Sequence, residues 1–384
     1  TPRVGLDFIV VGRKHEITAL LQDLDNVKAG AAAFRVITGR YGSGKSFLLQ
    51  LMRNYAMERN FVVADADLSP ERRLTGTKNQ GVATYRELVK NLSSRTRPDG
   101  GALKPMLDRW LNTIQNDIVL GGMHASDPRF DDEVERRIRQ VTSELEGLVH
   151  GFDFATVLTA YYRGHRSDNE ELKTAALRWL RGEYTTRTEA RQDLGVRVII
   201  DDESWYDYLK LLAEFTKLAG YEGMLVLIDE AVNLYKITNT TSRHNNYEKL
   251  LAILNDTLQG KARHLAVLIG ATPKTLEDPR RGFYSYEALR SRLQTSSFSG
   301  EGRRDMTTPV LLLDNLGHEE LVALLKRVRD LHAVHHGYEV RVTEAEIITF
   351  LETVLDRLGA AEFTTPRNVL RDFVTVLNLL HQYP

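Results

Sequence analysis

The chain has no cysteine, which excludes disulfides and thiolate metal sites and fits a reducing compartment. No apolar run approaches the roughly 20 residues that a membrane-spanning helix requires, so no membrane partner is expected. The opening stretch, TPRVGLDFIVVGRKHE, lacks the basic-then-apolar pattern of a secretion signal. It also lacks an initiator Met, an expectation of trimming or of a longer parent chain. Charge of one sign is not in excess: 51 Lys and Arg face 52 Asp and Glu, so any nucleic-acid contact has to come from a local patch. Internal repeats and low-complexity tracts are absent as well. Among the histidines, the neighbours His335 and His336 are expected to point apart on a helix, and no His-x-x-x-His spacing comes with a suitable acid, so no zinc site is expected.

What is present is a balance of 42% hydrophobic and 27% charged residues, that of a soluble globular protein. At 384 residues the chain exceeds one ordinary core and suggests two or three packed units. Ile17, Leu20, Leu21 and Leu24 form one helical stripe in RKHEITALLQDL. FRVIT (34–38) is a β-branched run ending in a glycine-rich turn, SFLLQLMRNYAMERN restores helical spacing, and FVVADADL (61–68) is a second strand. Strand, helix, strand in that order implies a parallel sheet. From about 71 to 195 the spacing is helical, clearest in 132–149 and 169–184, with turn-rich breaks such as SSRTRPDGG, which reads as a helical insertion. The sheet then resumes. A helix at 204–220 buries Trp205, Tyr208, Leu209, Leu212 and Phe215, and strands follow at MLVLIDE, HLAVLIGAT (264–272) and PVLLLDNL (309–316). The tail reads as helices, one opening with a Thr343/Glu346 capping box and another with Pro366 in its first turn.

Gly39-Arg40-Tyr41-Gly42-Ser43-Gly44-Lys45-Ser46 matches G-x-x-x-x-G-K-[ST], after a strand and opening a helix that continues with Phe47. Its glycines let backbone N–H groups aim at a β-phosphate, helped by the helix N-terminus. Lys45 is expected to neutralise the β- and γ-phosphates, and the Ser46 hydroxyl to ligate Mg²⁺. ATP with Mg²⁺ is therefore the expected ligand. Met224–Ile228 is an apolar strand ending in Asp229 and Glu230, at the end where open α/β sheets bind nucleotides. Asp229 is expected to support the metal from its second shell, and Glu230 to polarise the attacking water. Glu230 separates hydrolysis from mere binding.

In motif order the chain resembles the AAA+ ATPases, especially the branch containing origin-recognition initiators, over roughly 8–68 and 204–384. That resemblance implies an α/β P-loop fold: a three-layer α/β/α core in two parts (1–70 and 204–316), a helical insertion (71–203) and a C-terminal helical lid (317–384). Val11, Gly12 and Arg13 look like the adenine-side box, the alternative being an ordinary helix start. Thr272 occupies the sensor-1 place, where Asn is commoner, and a plain turn before Pro273 is the other reading. Arg367, in TPRNVL, looks like the sensor-2 arginine, or else a surface ion pair. Arg290 and Arg292, in YEALRSRL, look like an arginine-finger helix, which implies a homo-oligomer. Two residues apart, they cannot share a helix face, and surface charge is the alternative.

The ensemble resembles most the ATP-binding proteins of BREX-type bacterial phage-defence systems, of the BrxD kind. The resemblance lies in ITGRYGSGKSFLL, VVADADLSPERRL, TGTKNQGVATYRELVKNL, MLVLIDEAVNLYK and YSYEALRSRL. It implies a cytoplasmic bacterial ATPase turning ATP into ADP and phosphate, with double-stranded DNA and other defence proteins as partners. The loop TGTKNQG either reads the nucleotide, touches DNA or is simply exposed. Arg280, Arg281, Arg290, Arg292, Arg303 and Arg304 form an arginine-biased stretch, and Arg136, Arg137 and Arg139 a smaller cluster. A solvated face accounts for these as well as phosphate contact does. A nucleotide-gated scaffold that turns over very slowly is the competing function. A small-molecule kinase is a third class, for which no acceptor pocket is evident.

Overall fold

In the computed structural model, which describes residues 3–146, 149–294, 305–357 and 365–383, the apolar runs become five parallel strands. They are β1 (Ala32–Gly39), β2 (Val62–Asp67), β3 (Met224–Asp229), β4 (Leu265–Ala271) and β5 (Val310–Leu313), in the spatial order β2-β3-β4-β1-β5. A parallel sheet is covered on both faces and its strands are apolar on both sides. Accordingly every residue of β4 is buried. The last strand is shorter than the run PVLLLDNL suggests, because Asp314 onward leaves the ladder.

The two faces pack against different helices. On one side Ile37, Leu225 and Leu268 meet α1 (Lys14–Lys28) and α2 (Lys45–Glu58) through Leu20, Leu24, Leu49 and Met52. On the other side Val36, Val226 and Val267 share a single cluster with the helices between β2 and β3. These are α3 (Gln80–Lys90), α4 (Leu103–Leu120), α5 (Phe130–Glu146), α6 (Gly151–Arg166), α7 (Glu170–Leu180), α8 (Arg187–Leu194) and α9 (Trp205–Leu218). The helical reading of 71–195 therefore holds: among the described residues, extended pairing there is limited to bridges at Ser93, Ser94 and Arg97. The helices do not form a detached lobe. α9 lies between sheet and helical layer, so Trp205, Tyr208 and Phe215 are buried, and Phe215 meets the Trp110 ring edge-on at 5.0 Å. Burying one such aromatic contributes roughly 1.5–3 kcal/mol.

Beyond β3 the chain forms α10 (Val232–Tyr235), α11 (Thr240–Leu258), α12 (Pro273–Glu277) and α13 (Glu287–Leu293). The tail is α14 (His318–His336), α15 (Glu344–Arg357) and α16 (Pro366–Gln382), which close their own cluster around Leu325, Leu351, Val369 and Phe373. The expected capping box is formed, with Thr343 N donating to Glu346 Oε2 at 2.7 Å and Glu346 N to Thr343 Oγ1 at 3.3 Å. Pro366 opens α16, and Thr365 caps it by accepting from Asn368 N. Among the described residues no helix is long and apolar enough to cross a membrane.

Candidate nucleotide site

Because all five strands run the same way, the turns after β1, β3 and β4 emerge at one edge of the sheet. The turn after β1 is the loop 39–44, with Gly42 and Gly44 at φ +80° and +97°, angles that side-chain-bearing residues rarely adopt. A Cβ at Gly44 would touch nothing within 4 Å, so there is open space over the start of α2. The first N–H groups of that helix have no intrahelical acceptor and face this space. Lys45 Nζ donates to the carbonyls of Gly39 and Arg40 at 2.8 and 2.9 Å. Burial pushes the Lys45 pKa below the ordinary lysine value, while the carboxylates of Asp229 and Glu230 pull it back up.

Ser46 Oγ donates to Asp229 Oδ2 at 2.5 Å, across β4, which separates β1 from β3. Asp229 Oδ1 accepts the N–H of Glu230 at 2.8 Å. Glu230 is exposed and sits at φ +58°, a left-handed conformation that costs a non-glycine residue roughly 1–2 kcal/mol. Such a kink ends the strand abruptly and turns the acid out of the sheet. The kink is held by Ala231 N, which donates to Gly270 O at 3.1 Å. The donors gathered here are a hydroxyl and carboxylates, hard oxygen ligands of the kind Mg²⁺ takes. The residues thus fit a magnesium ion held by Ser46 and supported by Asp229.

Two contributors are not apparent from the motifs. Asp67 ends β2 in register with Asp229, and its pKa is raised by burial, then by Asp229 and Asp65. The alternation in VVADADL carries that signal. Gly270 is the other: a Cβ there would lie 2.3 Å from Asp229 Oδ1. Gly270→Ala should therefore push the carboxylate off Ser46. A displacement near 1 Å at a reacting centre costs on the order of 10²-fold, so any phosphate release that this site supports should fall about that far while the melting curve keeps its cooperativity. Unchanged Mg²⁺-dependent nucleotide binding and phosphate release in the variant would refute the role given to this contact.

The other expected residues lie in several places. Val11, Gly12 and Arg13 do line a cavity of about 400 Å³, with Glu319, Glu320 and Arg327 of α14 opposite. Gly12 sits at φ +64°, a left-handed angle that favours glycine, and a Cβ there would meet the Glu320 carboxylate. Arg13 is buried and donates to Ser43 O at 3.0 Å and Asp314 O at 2.6 Å, so it braces the phosphate loop from behind. Tyr41 and Arg40 are exposed at the loop's crest, and Phe47 packs against the α1–α2 face. Arg367 is exposed in the first turn of α16, whose cap Thr365 abuts the loop: a Cβ at Gly42 would meet Thr365 Cβ at 2.5 Å. Thr272 directly follows β4 and caps α12, its Oγ1 accepting from Thr275 N at 3.2 Å. Arg290 and Arg292 are exposed on α13 and, among the described residues, no hydrogen bond or ion pair ties either to the phosphate loop.

Several arginines of the basic stretches are committed within the fold. Arg281 donates to Tyr235 O and Ile237 O, and Arg136 and Arg139 pair with Glu133 and Glu135. Arg303 and Arg304 lie outside the described residues. The loop 75–81 is anchored at both ends: Asp202 accepts from the N–H groups of Gly76, Gly81 and Val82, and Asn246 accepts from that of Thr75. Its tip, Thr77 to Asn79, is exposed. His335 and His336 are exposed but do not point apart as expected: their rings lie 4.7 Å from each other, and His381 of α16 comes equally near His336.

The family model described as BREX system ATP-binding protein BrxC/D matches residues 1–384, and the chain belongs to that family. No curated protein matches it.

Proposed function

We propose that this BrxC/D-family chain is a Mg²⁺-dependent ATPase of the AAA+ type, serving a bacterial anti-phage defence assembly in the cytoplasm and acting on DNA or a DNA-bound complex. The observation that carries this reading is the contact of Ser46 with Asp229 beside an outward-turned Glu230. Residues so distant in sequence meet at the mouth of a glycine loop, which is the arrangement phosphoryl transfer needs. Loop N–H groups and Lys45 hold the β- and γ-phosphates. A bound Mg²⁺ would neutralise developing phosphate charge. Glu230 orients a water and takes its proton as the water oxygen bonds the γ-phosphorus and the bond to ADP breaks. Residues 317–384 act as the lid, with Arg367 reading the γ-phosphate, and the core is interrupted by the helical insertion 71–203. Arg290 or Arg292 reaches a neighbouring subunit's site, which makes the working form a homo-oligomer.

One observation favours a second reading, a scaffold that binds ATP and hydrolyses it very slowly. The Thr272 hydroxyl at the sensor-1 place is engaged in capping α12. Phosphate release by the purified chain, in Mg²⁺ and then in excess chelator, tests the ATPase. We expect release in Mg²⁺ alone. Equal release in both conditions would defeat the reading.

A further inference from the structure

We infer that the open groove along α4 is a binding surface for the phosphodiester backbone of double-stranded DNA, an inference that rests on the DNA-directed reading above. The groove encloses about 640 Å³ and is lined by Arg97, Lys104, Asp108, Arg109, Asn112 and Asn116, among others. Its charges are unequal in availability. Both oxygens of Asp108 are engaged, Oδ2 by Lys104 Nζ at 2.7 Å and Oδ1 by the Tyr161 hydroxyl at 2.5 Å. That cancels one acid against one base. Arg97 and Arg109 remain exposed, and no carboxylate among the described residues pairs with either.

Arg109 is held in orientation by the Tyr221 ring, 5.2 Å from its guanidinium carbon, so the face is covered and the N–H edge is left for a ligand. Exposed Asn112 and Asn116 add uncharged amide donors one and two turns further on. These are the side-chain types that contact phosphate and sugar without reading sequence. The stripe from Lys104 to Asn116 is about 18 Å long at 1.5 Å per helical residue, the axial rise of about five nucleotides. On α5, by contrast, Arg136 and Arg139 are neutralised by Glu133 and Glu135. The α4 groove instead gathers two exposed guanidinium groups on one surface, away from the arginine-biased stretches of the sequence.

The test is fluorescence anisotropy of a labelled duplex of arbitrary sequence, titrated with the full chain over a salt series. The variant pair R97A/R109A should bind about tenfold more weakly, with a slope of log K against log salt shallower by about two, near 0.9 for each phosphate no longer neutralised. R97A alone should move the slope by about one and guards against misfolding of the double variant, because the Arg97 side chain makes no hydrogen bond among the described residues. R136A/R139A should bind as the parent does, and an equal loss there would mean that net charge alone is felt and would overturn the assignment. Parent binding that survives R97A/R109A unchanged removes the groove and leaves the DNA reading standing. Absence of duplex binding by the parent removes both.

Discussion

Lys45→Ala is expected to remove ATP turnover almost completely, by about 10²–10³-fold, the range seen when one preorganised charge-stabilising donor is lost. The reason is visible in the loop. The Lys45 ammonium is partly buried, reaches the Gly39 and Arg40 carbonyls, and is influenced by Asp229 and Glu230. It is therefore the cation placed between the loop and the two acids. Burial makes its charge costly in isolation, and bound phosphates would relieve that cost by replacing neutral carbonyl acceptors with anionic oxygens. Nucleotide affinity should fall along with turnover, read by isothermal titration with ATP and Mg²⁺. A melting curve without nucleotide guards against a folding effect, because alanine also leaves two carbonyls without their lysine donor. Parent-like ATP affinity in a folded Lys45→Ala variant would remove the phosphate-binding assignment.

The parts of this arrangement legible in the sequence are those whose physics is local. The loop 39–46 announces itself because its glycines need unusual backbone angles within a few residues, and Gly42 and Gly44 adopt them. All five strands show as short apolar runs, since parallel strands are buried on both faces. Asp229 shows because an acid ending such a strand has few reasons to be there. The order β2-β3-β4-β1-β5 is not legible, because it depends on pairings between distant segments with equally apolar faces. Gly270 is the clearest consequence: its need for smallness comes from Asp229 on the neighbouring strand. Thr365 against Gly42 and Glu320 against Gly12 are likewise contacts between the two ends of the chain. Arg13 has the sequence position of a base-side residue, yet its buried guanidinium braces Ser43 and Asp314, a role that requires knowing where β5 ends. The helices α4 and α6 do not stand out either, since in the 71–195 stretch one amphipathic pattern runs into the next.

Glu230→Gln separates the two functions, and its expected result differs in kind from that of Lys45→Ala. Glutamine keeps the length, the exposure and the backbone N–H that donates to Asp229 Oδ1. It can adopt the same φ of +58°, so the turn after β3 and the Ser46 contact should persist. What it loses is the carboxylate that accepts a proton. General-base contributions are typically 10²–10⁴-fold, so single-turnover phosphate release should slow by about that factor, with ATP affinity within about twofold of the parent. The parent's own rate then decides between an ATPase and a scaffold. If parent and Glu230→Gln bind ATP equally and neither releases phosphate above background, with duplex DNA or without, Glu230 is an exposed acid at a strained turn and the scaffold is correct. If the parent turns over and the variant does not, the backbone strain at Glu230 has a function, since a left-handed glutamate is retained where the acid must leave the plane of the sheet to meet a water.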